Sequence, residues 1–233
     1  MDMADIRREY SIGGLDRADL DANPLAQFEK WFSHASGSRG SRARKIGIAL
    51  YKLWHALLGR TPADVNAMTL ATVGADGVPS SRTVLLKGVD ARGFIFFTNY
   101  DSRKGHELAD NPNAALTFFW VDDERQVCVA GKVTQLPRAE SEAYFKSRPR
   151  ASQLGAWASA QSSVVESRDA LEKNWQAVAA KYCDAVPTPP HWGGYVLAPK
   201  RIEFWQGRPS RLHDRFCYTR QSDGAWKIER LAP

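Results

Sequence analysis

Three groups of side chains in this sequence have the types and spacing to do chemistry. The first begins with Arg82 and Lys87, which bracket the segment Arg-Thr-Val-Leu-Leu-Lys. Five positions apart, they fall on opposite faces of a regular strand, so either the strand is irregular or the two serve different groups. Further on, Thr98-Asn99 closes a strand pattern and Ser102-Arg103-Lys104 opens a helical one. Free N–H groups at a helix start, beside two cations, make a phosphate cradle. The same spacing also describes a solvated helix start. The second group is Tyr144, Arg148 and Ser152. Residues i and i+4 share a helical face, Pro149 breaks that helix, and Ser152 is placed to cap the next one. A phenol, a guanidinium and a hydroxyl there suit a second phosphate, although they suit an ordinary surface too. The third group is Arg211-Leu212-His213-Asp214-Arg215, preceded by Trp205-Gln206-Gly207. Strand alternation puts residues 211, 213 and 215 on one face. Two arginines and a histidine beside a tryptophan form a poor core face, which favours a site.

The elements that must position these groups can be read from periodicity and turn residues. Asn23 and Pro24 form an N-cap and first helical residue. Leu25, Phe28, Trp31 and Phe32 follow on one helical face, as far as about Ser36. The stretch RARKIGIALYKLWHALLGR spaces Ile46, Leu50, Leu53, Trp54, Leu57 and Leu58 as an amphipathic helix would. From Ala67 the pattern changes to short strands with turn punctuation: AMTLATV, PSSRTVLLKGV, FIFFTN, NAALTFFWV and RQVCVAGKVTQL. Leu136–Arg148 and Ser167–Tyr182 read as helices. RIEFWQG, DRFCYTR and AWKIERL read as closing strands, with a turn at Ser222-Asp223-Gly224. Short connections favour antiparallel pairing, because parallel pairs need a long crossover. The expected fold is a mostly antiparallel β-barrel with flanking helices.

Composition narrows the class. Of 233 residues, 43% are hydrophobic and 25% charged, as in an ordinary globular protein. No apolar run is long enough to span a membrane, and the acidic first twenty residues lack the apolar core of a secretory leader. The three cysteines, Cys128, Cys183 and Cys217, are far apart and form no metal-ligand spacing. Free thiols, no metal and a reducing cytoplasmic location are the expectations. The formal charge of +6 comes from residues 38–61, which hold Arg39, Arg42, Arg44, Lys45, Lys52 and Arg60 without an acid. The rest of the chain carries 26 basic and 26 acidic residues. The charge is therefore local, and a nucleic-acid-binding face is not expected.

Ordered blocks over most of the chain resemble the pyridoxine 5′-phosphate oxidase family. They are RREY (7–10), RTVLLK (82–87), FFTN (96–99), SRKGHEL (102–108), ERQV (124–127), YFKSRPRASQLGAW (144–157), QSS (161–163), WGGY (192–195), IEFWQG (202–207), RLHDRF (211–216) and WKIERLAP (226–233). The resemblance implies an FMN-binding split β-barrel: a lid segment over residues 1–22, then one domain from 23 to 233. It implies a homodimer with flavin at the subunit interface. By the same resemblance, Arg82, Arg103 and Lys104 hold the FMN phosphate end. Val84, Leu85, Lys87, Phe97, Thr98, Gln126, Gln161, Ser162, Trp205 and Arg215 complete the flavin site. The family usually has Tyr where Phe97 stands, so a hydroxyl contact is lost there. Lys87, Tyr144, Arg148 and Ser152 are implied to hold the substrate phosphate, and Arg211 and His213 to face the carbon being oxidised. Arg7 and Tyr10 are implied to form a mobile lid. The implied reaction is oxidation of pyridoxamine and pyridoxine 5′-phosphates by dioxygen to pyridoxal 5′-phosphate and hydrogen peroxide. Two other functions fit parts of the pattern: another split-barrel flavin reductase or oxidoreductase, and a non-enzymatic flavin-binding module. The sequence departs from the family in the long connection from Trp31 to Met68. Its basic helix, at about 38–61, reads as a cover on the barrel or as a contact for a membrane surface or acidic partner.

Overall fold

The computed structural model describes residues 9–37 and 64–233; Arg7 and the basic stretch at 38–61 lie outside them. Nine strands are described. They are β1 (Ala67–Val73), β2 (Pro79–Leu85), β3 (Gly88–Asp90), β4 (Gly93–Asn99), β5 (Asn113–Trp120), β6 (Arg125–Gln135), β7 (Trp192–Gln206), β8 (Asp214–Arg220) and β9 (Trp226–Leu231). The described α-helices are α1 (Pro24–Ala35), α2 (Arg103–Asp110), α3 (Arg138–Ser147), α4 (Arg150–Ala158) and α5 (Arg168–Lys181). Hydrogen bonding orders the sheet β2-β1-β5-β6-β7-β4-β3, with β8 paired to β7 and β9 to β8. No described helix is long and apolar enough to cross a membrane.

The chain divides into two compact units. The first comprises Met1–Thr69, Ala115–Ala130 and Pro199–Pro233. Its helix α1 starts as the sequence dictates, with the Asn23 side chain accepting from the Leu25 N–H at 2.9 Å and Pro24 at the first position. Phe28 and Trp31 are buried, against Phe118 and Phe204 at ring-centroid distances of 4.9 and 5.2 Å. Full burial of an aromatic of this kind is worth about 1.5–3 kcal/mol, so this helical stripe secures α1. Strands β7, β8 and β9 form an antiparallel meander, with Trp205 opposite Arg215 and Arg215 opposite Leu231. Its last turn has Gly224 at φ +86°, in the left-handed region that the Ser-Asp-Gly pattern anticipates.

The second unit comprises Leu70–Ala114 and Gly131–Ala198. Strand β4 pairs antiparallel with the first part of β7, from Phe94 opposite Leu197 to Asn99 opposite Trp192. Phe94, Phe96, Leu70 and Leu197 are fully buried there. A second cluster of Phe145, Leu154, Val186 and Trp192 packs beneath α3 and α4.

Three local expectations are corrected. Strand β7 begins at Trp192, well before the Arg201 start that the pattern marks. Gly193 and Gly194 look like breakers, yet a Cβ at Gly193 would lie 2.0 Å from the Tyr100 hydroxyl, so the strand needs glycine for close approach. Ser152 does not cap α4: Pro149 is the N-cap, and the Ser152 N–H donates to the Pro149 carbonyl from inside the first turn. Residues 211–213 are not strand. Pro209–Arg211 is a 3-10 turn with Ser210 and Arg211 at φ +56° and +61°, and β8 starts only at Asp214.

Candidate active site

The second unit holds a cavity of about 1040 Å³. Its wall contains thirteen of the side chains singled out above: Arg82, Val84, Leu85, Lys87, Phe97, Thr98, Arg103, Lys104, Tyr144, Arg148, Ser152, Gln161 and Ser162. Arg82 and Lys87 reach the same cavity because the strand between them is irregular. Strand β2 ends at Leu85 and β3 begins at Gly88, with the Lys87 N–H turned to the Ile95 carbonyl at 2.8 Å.

One part of the wall is built on the start of α2. Ser102 caps the helix, its side chain accepting from the Gly105 N–H. The first turn then carries Arg103 and Lys104 and no acid. Cations at a helix N-terminus oppose the helix dipole, so the arrangement serves an anion better than it serves helix stability. Lys104 is only 7% exposed, and its ammonium donates to neutral oxygens: Thr98 Oγ1 at 3.1 Å, Ser102 Oγ at 3.1 Å and Gln161 Oε1 at 2.9 Å. Among the described residues no carboxylate lies within ion-pair distance of it. Burial, then the charge of Arg82, push its pKa down to about 8, against an opposing pull from Glu107. Arg82 and Arg103 are anchored instead to Glu107, at 3.1 and 2.8 Å.

The other cationic part lies at the α3–α4 corner. The Gln153 side chain closes this corner by donating to the carbonyls of Phe145 and Arg148 at 3.0 and 2.9 Å, so the end of α3 is satisfied without another turn. Arg148 follows α3 with extended backbone. Its guanidinium lies over the Trp192 ring, 4.7 Å from the centroid. The Nη1 atom is buried and has no hydrogen-bond partner. Burial lowers the Arg148 pKa from its ordinary value. Phe97 stacks on Tyr144 at 3.9 Å and on Trp192 at 5.5 Å, which joins strand β4 to the α3 phenol.

A buried cation without a counter-charge is costly unless something supplies one. The cavity wall holds two under-paired cations on different elements: buried Lys104, and half-buried Arg148, whose Nη1 atom is buried. That donor set fits two anionic groups, as a phosphorylated cofactor and a phosphorylated substrate would require. Ser162, at φ +76°, is a non-glycine residue in the left-handed region beside them.

The remaining residues of interest belong to the first unit. Tyr10, Trp205 and His213 form an aromatic cluster, with Tyr10 5.5 Å from Trp205 and 5.7 Å from His213, and Trp205 4.6 Å from His213. A Cβ on Gly207 would lie 2.7 Å from the Tyr10 ring, so glycine is what admits the tyrosine. The chain after Tyr10 is fixed by the Ser11 and Ile12 N–H groups, both donating to Glu124 Oε2. His213 Nδ1 accepts from the Arg208 N–H at 3.1 Å, which leaves the proton on Nε2 of the neutral ring. Burial, then the charge of Arg211, lower the His213 pKa. Arg211 is exposed, Gln126 half-buried on β6, and Arg215 bound through Nε and Nη2 to Glu203 Oε1 at 2.9 and 2.8 Å. Sequence reasoning missed Glu107 and Trp192. Arg103 and Glu107 are four apart on a helix, which signals their pairing, but nothing in the sequence signals the link from Glu107 to Arg82 or the seat of Arg148 on Trp192.

Two family models match this chain: pyridoxamine 5′-phosphate oxidase over residues 60–182, and the pyridoxine 5′-phosphate oxidase C-terminal dimerisation region over residues 192–233. A pyridoxine/pyridoxamine 5′-phosphate oxidase of Burkholderia orbicola is 52% identical over 233 residues, covering 99% of each chain. Pyridoxine/pyridoxamine 5′-phosphate oxidase 1 of Ralstonia nicotianae is 54% identical over 231 residues, again 99% of each. Among solved structures, PhzG from Burkholderia lata, in complex with tetrahydrophenazine-1-carboxylic acid, aligns with a TM-score of 0.80 at 28% identity, over 96% of this chain and 100% of that one. A pyridoxamine 5′-phosphate oxidase-related, FMN-binding protein from Nostoc punctiforme shares the fold, with a TM-score of 0.60 at 18% identity, over 84% of this chain and 100% of that one. The fold is that of the FMN-binding split barrels.

Proposed function

The chain belongs to the pyridoxine/pyridoxamine 5′-phosphate oxidase family, and from that premise we propose that it oxidises pyridoxamine and pyridoxine 5′-phosphates to pyridoxal 5′-phosphate as an FMN-dependent homodimer. Dioxygen is the acceptor and hydrogen peroxide a product, and the amine substrate also takes up water and releases ammonia. The observation that carries this reading is a pair of under-paired cations in one cavity wall: buried Lys104, and half-buried Arg148 with its buried, unpartnered Nη1. Each supplies charge that a phosphate monoester needs, and two such sites suit a phosphorylated cofactor and a phosphorylated substrate.

FMN, when bound, supplies the two-electron acceptor that dioxygen regenerates. Arg82, Arg103 and Lys104 hold its phosphate, and the Thr98, Gln161 and Ser162 positions border it. Val84, Leu85 and Phe97 offer it apolar contact. Arg148, Tyr144, Ser152 and Lys87 hold the substrate phosphate, the Arg148 Nη1 gaining the acceptor it lacks. The phosphate then anchors the substrate remote from the reacting carbon, which turns binding into orientation. Trp205, Arg215 and Gln126 extend the flavin contacts, and Arg211 and His213 orient the pyridine ring. His213, with Nδ1 engaged by the Arg208 N–H and the ring proton on Nε2, offers the substrate an N–H donor. Tyr10 borders the substrate.

The test is to purify the protein, record its visible spectrum and add pyridoxamine 5′-phosphate in air, following peroxide and aldehyde together. A flavin spectrum with equal amounts of peroxide and pyridoxal phosphate is expected, and Arg211→Ala and His213→Ala should each lower kcat/KM by about tenfold or more. A flavin spectrum without turnover would point to another split-barrel oxidoreductase. A protein that stays colourless and inactive after FMN is added would overturn the proposal.

A further inference from the structure

Glu107 does not line the cavity, but it touches three residues that do. Its carboxylate accepts from Arg82 Nη2 at 3.1 Å, from Arg103 Nε at 2.8 Å and from the Ser80 hydroxyl at 2.7 Å. It also accepts from the Thr72 hydroxyl at 2.5 Å. Glu107 itself is 7% exposed. Thr72 and Ser80 in turn accept from the Arg82 guanidinium, so five side chains share one closed network.

A buried carboxylate is a strange neighbour for a phosphate site, because its charge repels the ligand. Its value must lie in what it does to the two arginines. Arginine side chains have large rotamer freedom, and the Arg103 side chain is 59% exposed. Left alone it would sample solvent. The contact with Glu107 engages only its Nε, so both terminal nitrogens stay available to a ligand. Arg82 is held more completely, by Glu107, Ser80, Thr72 and the Leu70 carbonyl, and keeps its charge at the cavity wall.

We propose that Glu107 is a positioning residue for the cofactor phosphate, holding the Arg82 and Arg103 guanidinium groups in the geometry in which that phosphate meets them. The inference rests on the reading that this cavity takes FMN. It assigns Glu107 no part in the chemical step. Its signature is discrimination: the carboxylate matters for a flavin that carries a phosphate and not for one that lacks it.

The experiment compares FMN with riboflavin. Apoproteins of the wild type, Glu107→Ala and Glu107→Gln are titrated with each flavin by fluorescence, and their thermal midpoints are recorded. E107A is expected to weaken FMN binding by about tenfold or more, the scale of one lost charge-assisted interaction, and riboflavin binding by less than about twofold. E107Q should fall between wild type and E107A for FMN, because the amide keeps one acceptor oxygen and the side-chain shape. Should E107A fail to fold, E107Q carries the same contrast. Equal losses for FMN and riboflavin would overturn the inference, since they would mean general damage to the site. Unchanged or tighter FMN binding in both variants would overturn it too, because repulsion would then be all that Glu107 contributes. A wild-type protein that binds neither flavin would instead remove the cofactor reading on which the inference stands.

Discussion

Lys104 shows how a single side chain ties binding to pH. Its pKa of about 8 belongs to a buried ammonium surrounded by neutral oxygens and facing Arg82. A bound phosphate stabilises the charged form and raises that value. Below about pH 8 the free protein already carries the proton, and binding is at full strength. Above it, binding must take up a proton, so affinity falls by up to about tenfold per pH unit until the raised pKa of the complex is reached. The FMN dissociation constant measured from pH 6.5 to 10 should therefore rise above roughly pH 8, with Lys104→Met removing the slope. A flat profile in the wild type would refute the assignment. Residue by residue, the sequence showed the cations well, because charge in a strand or at a helix start is conspicuous. It hid Glu107, whose partners Thr72, Ser80 and Arg82 come from strands distant in the chain. It also misplaced Arg211, since alternation assumes a strand and the backbone there turns left-handed.

At the scale of elements, the positioning of α2 depends on Gly105. A Cβ at this position would lie 1.9 Å from the Tyr100 carbonyl oxygen, which is backbone and cannot move aside. Gly105→Ala should destabilise the protein by about 1–3 kcal/mol or more and displace the turn that carries Arg103 and Lys104. A lower thermal midpoint with weaker FMN binding is the expected pair of results. An unaltered midpoint would mean that α2 shifts freely, against the tight packing described here. The helices were legible because their caps and apolar spacing are local: Asn23-Pro24 at α1, Ser102 at α2, and Ser167, whose side chain accepts from the Ala170 N–H, at α5. The start of β7 was not, because Gly193 and Gly194 serve the tertiary demands of Tyr100, Leu136 and Phe97, which no local pattern reveals.

At the scale of the molecule, the 26.0 kDa chain includes a match to the family's dimerisation region over residues 192–233. That region holds Trp205, Arg211, His213 and Arg215, while the cavity is lined from the second unit alone. If two copies complete each flavin site, assembly and cofactor binding are linked. Light scattering should give about twice the chain mass, and flavin occupancy should fall on dilution through the dimer midpoint. A monomer that binds FMN fully would contradict the linkage. The antiparallel class was legible from short turns, whereas the division into two units was not, because β1, β5, β6 and β7 each contribute residues to both. The Arg148 guanidinium, with Nη1 buried and unmatched over Trp192, also bears on how the enzyme should be assayed. On the proposed reading such a group would also take a small oxyanion, so inorganic phosphate or sulfate in a buffer would compete with the substrate's own phosphate. A Michaelis constant read in phosphate buffer would then be inflated in proportion to the salt, while kcat stays fixed, and part of any apparent substrate preference would belong to the medium.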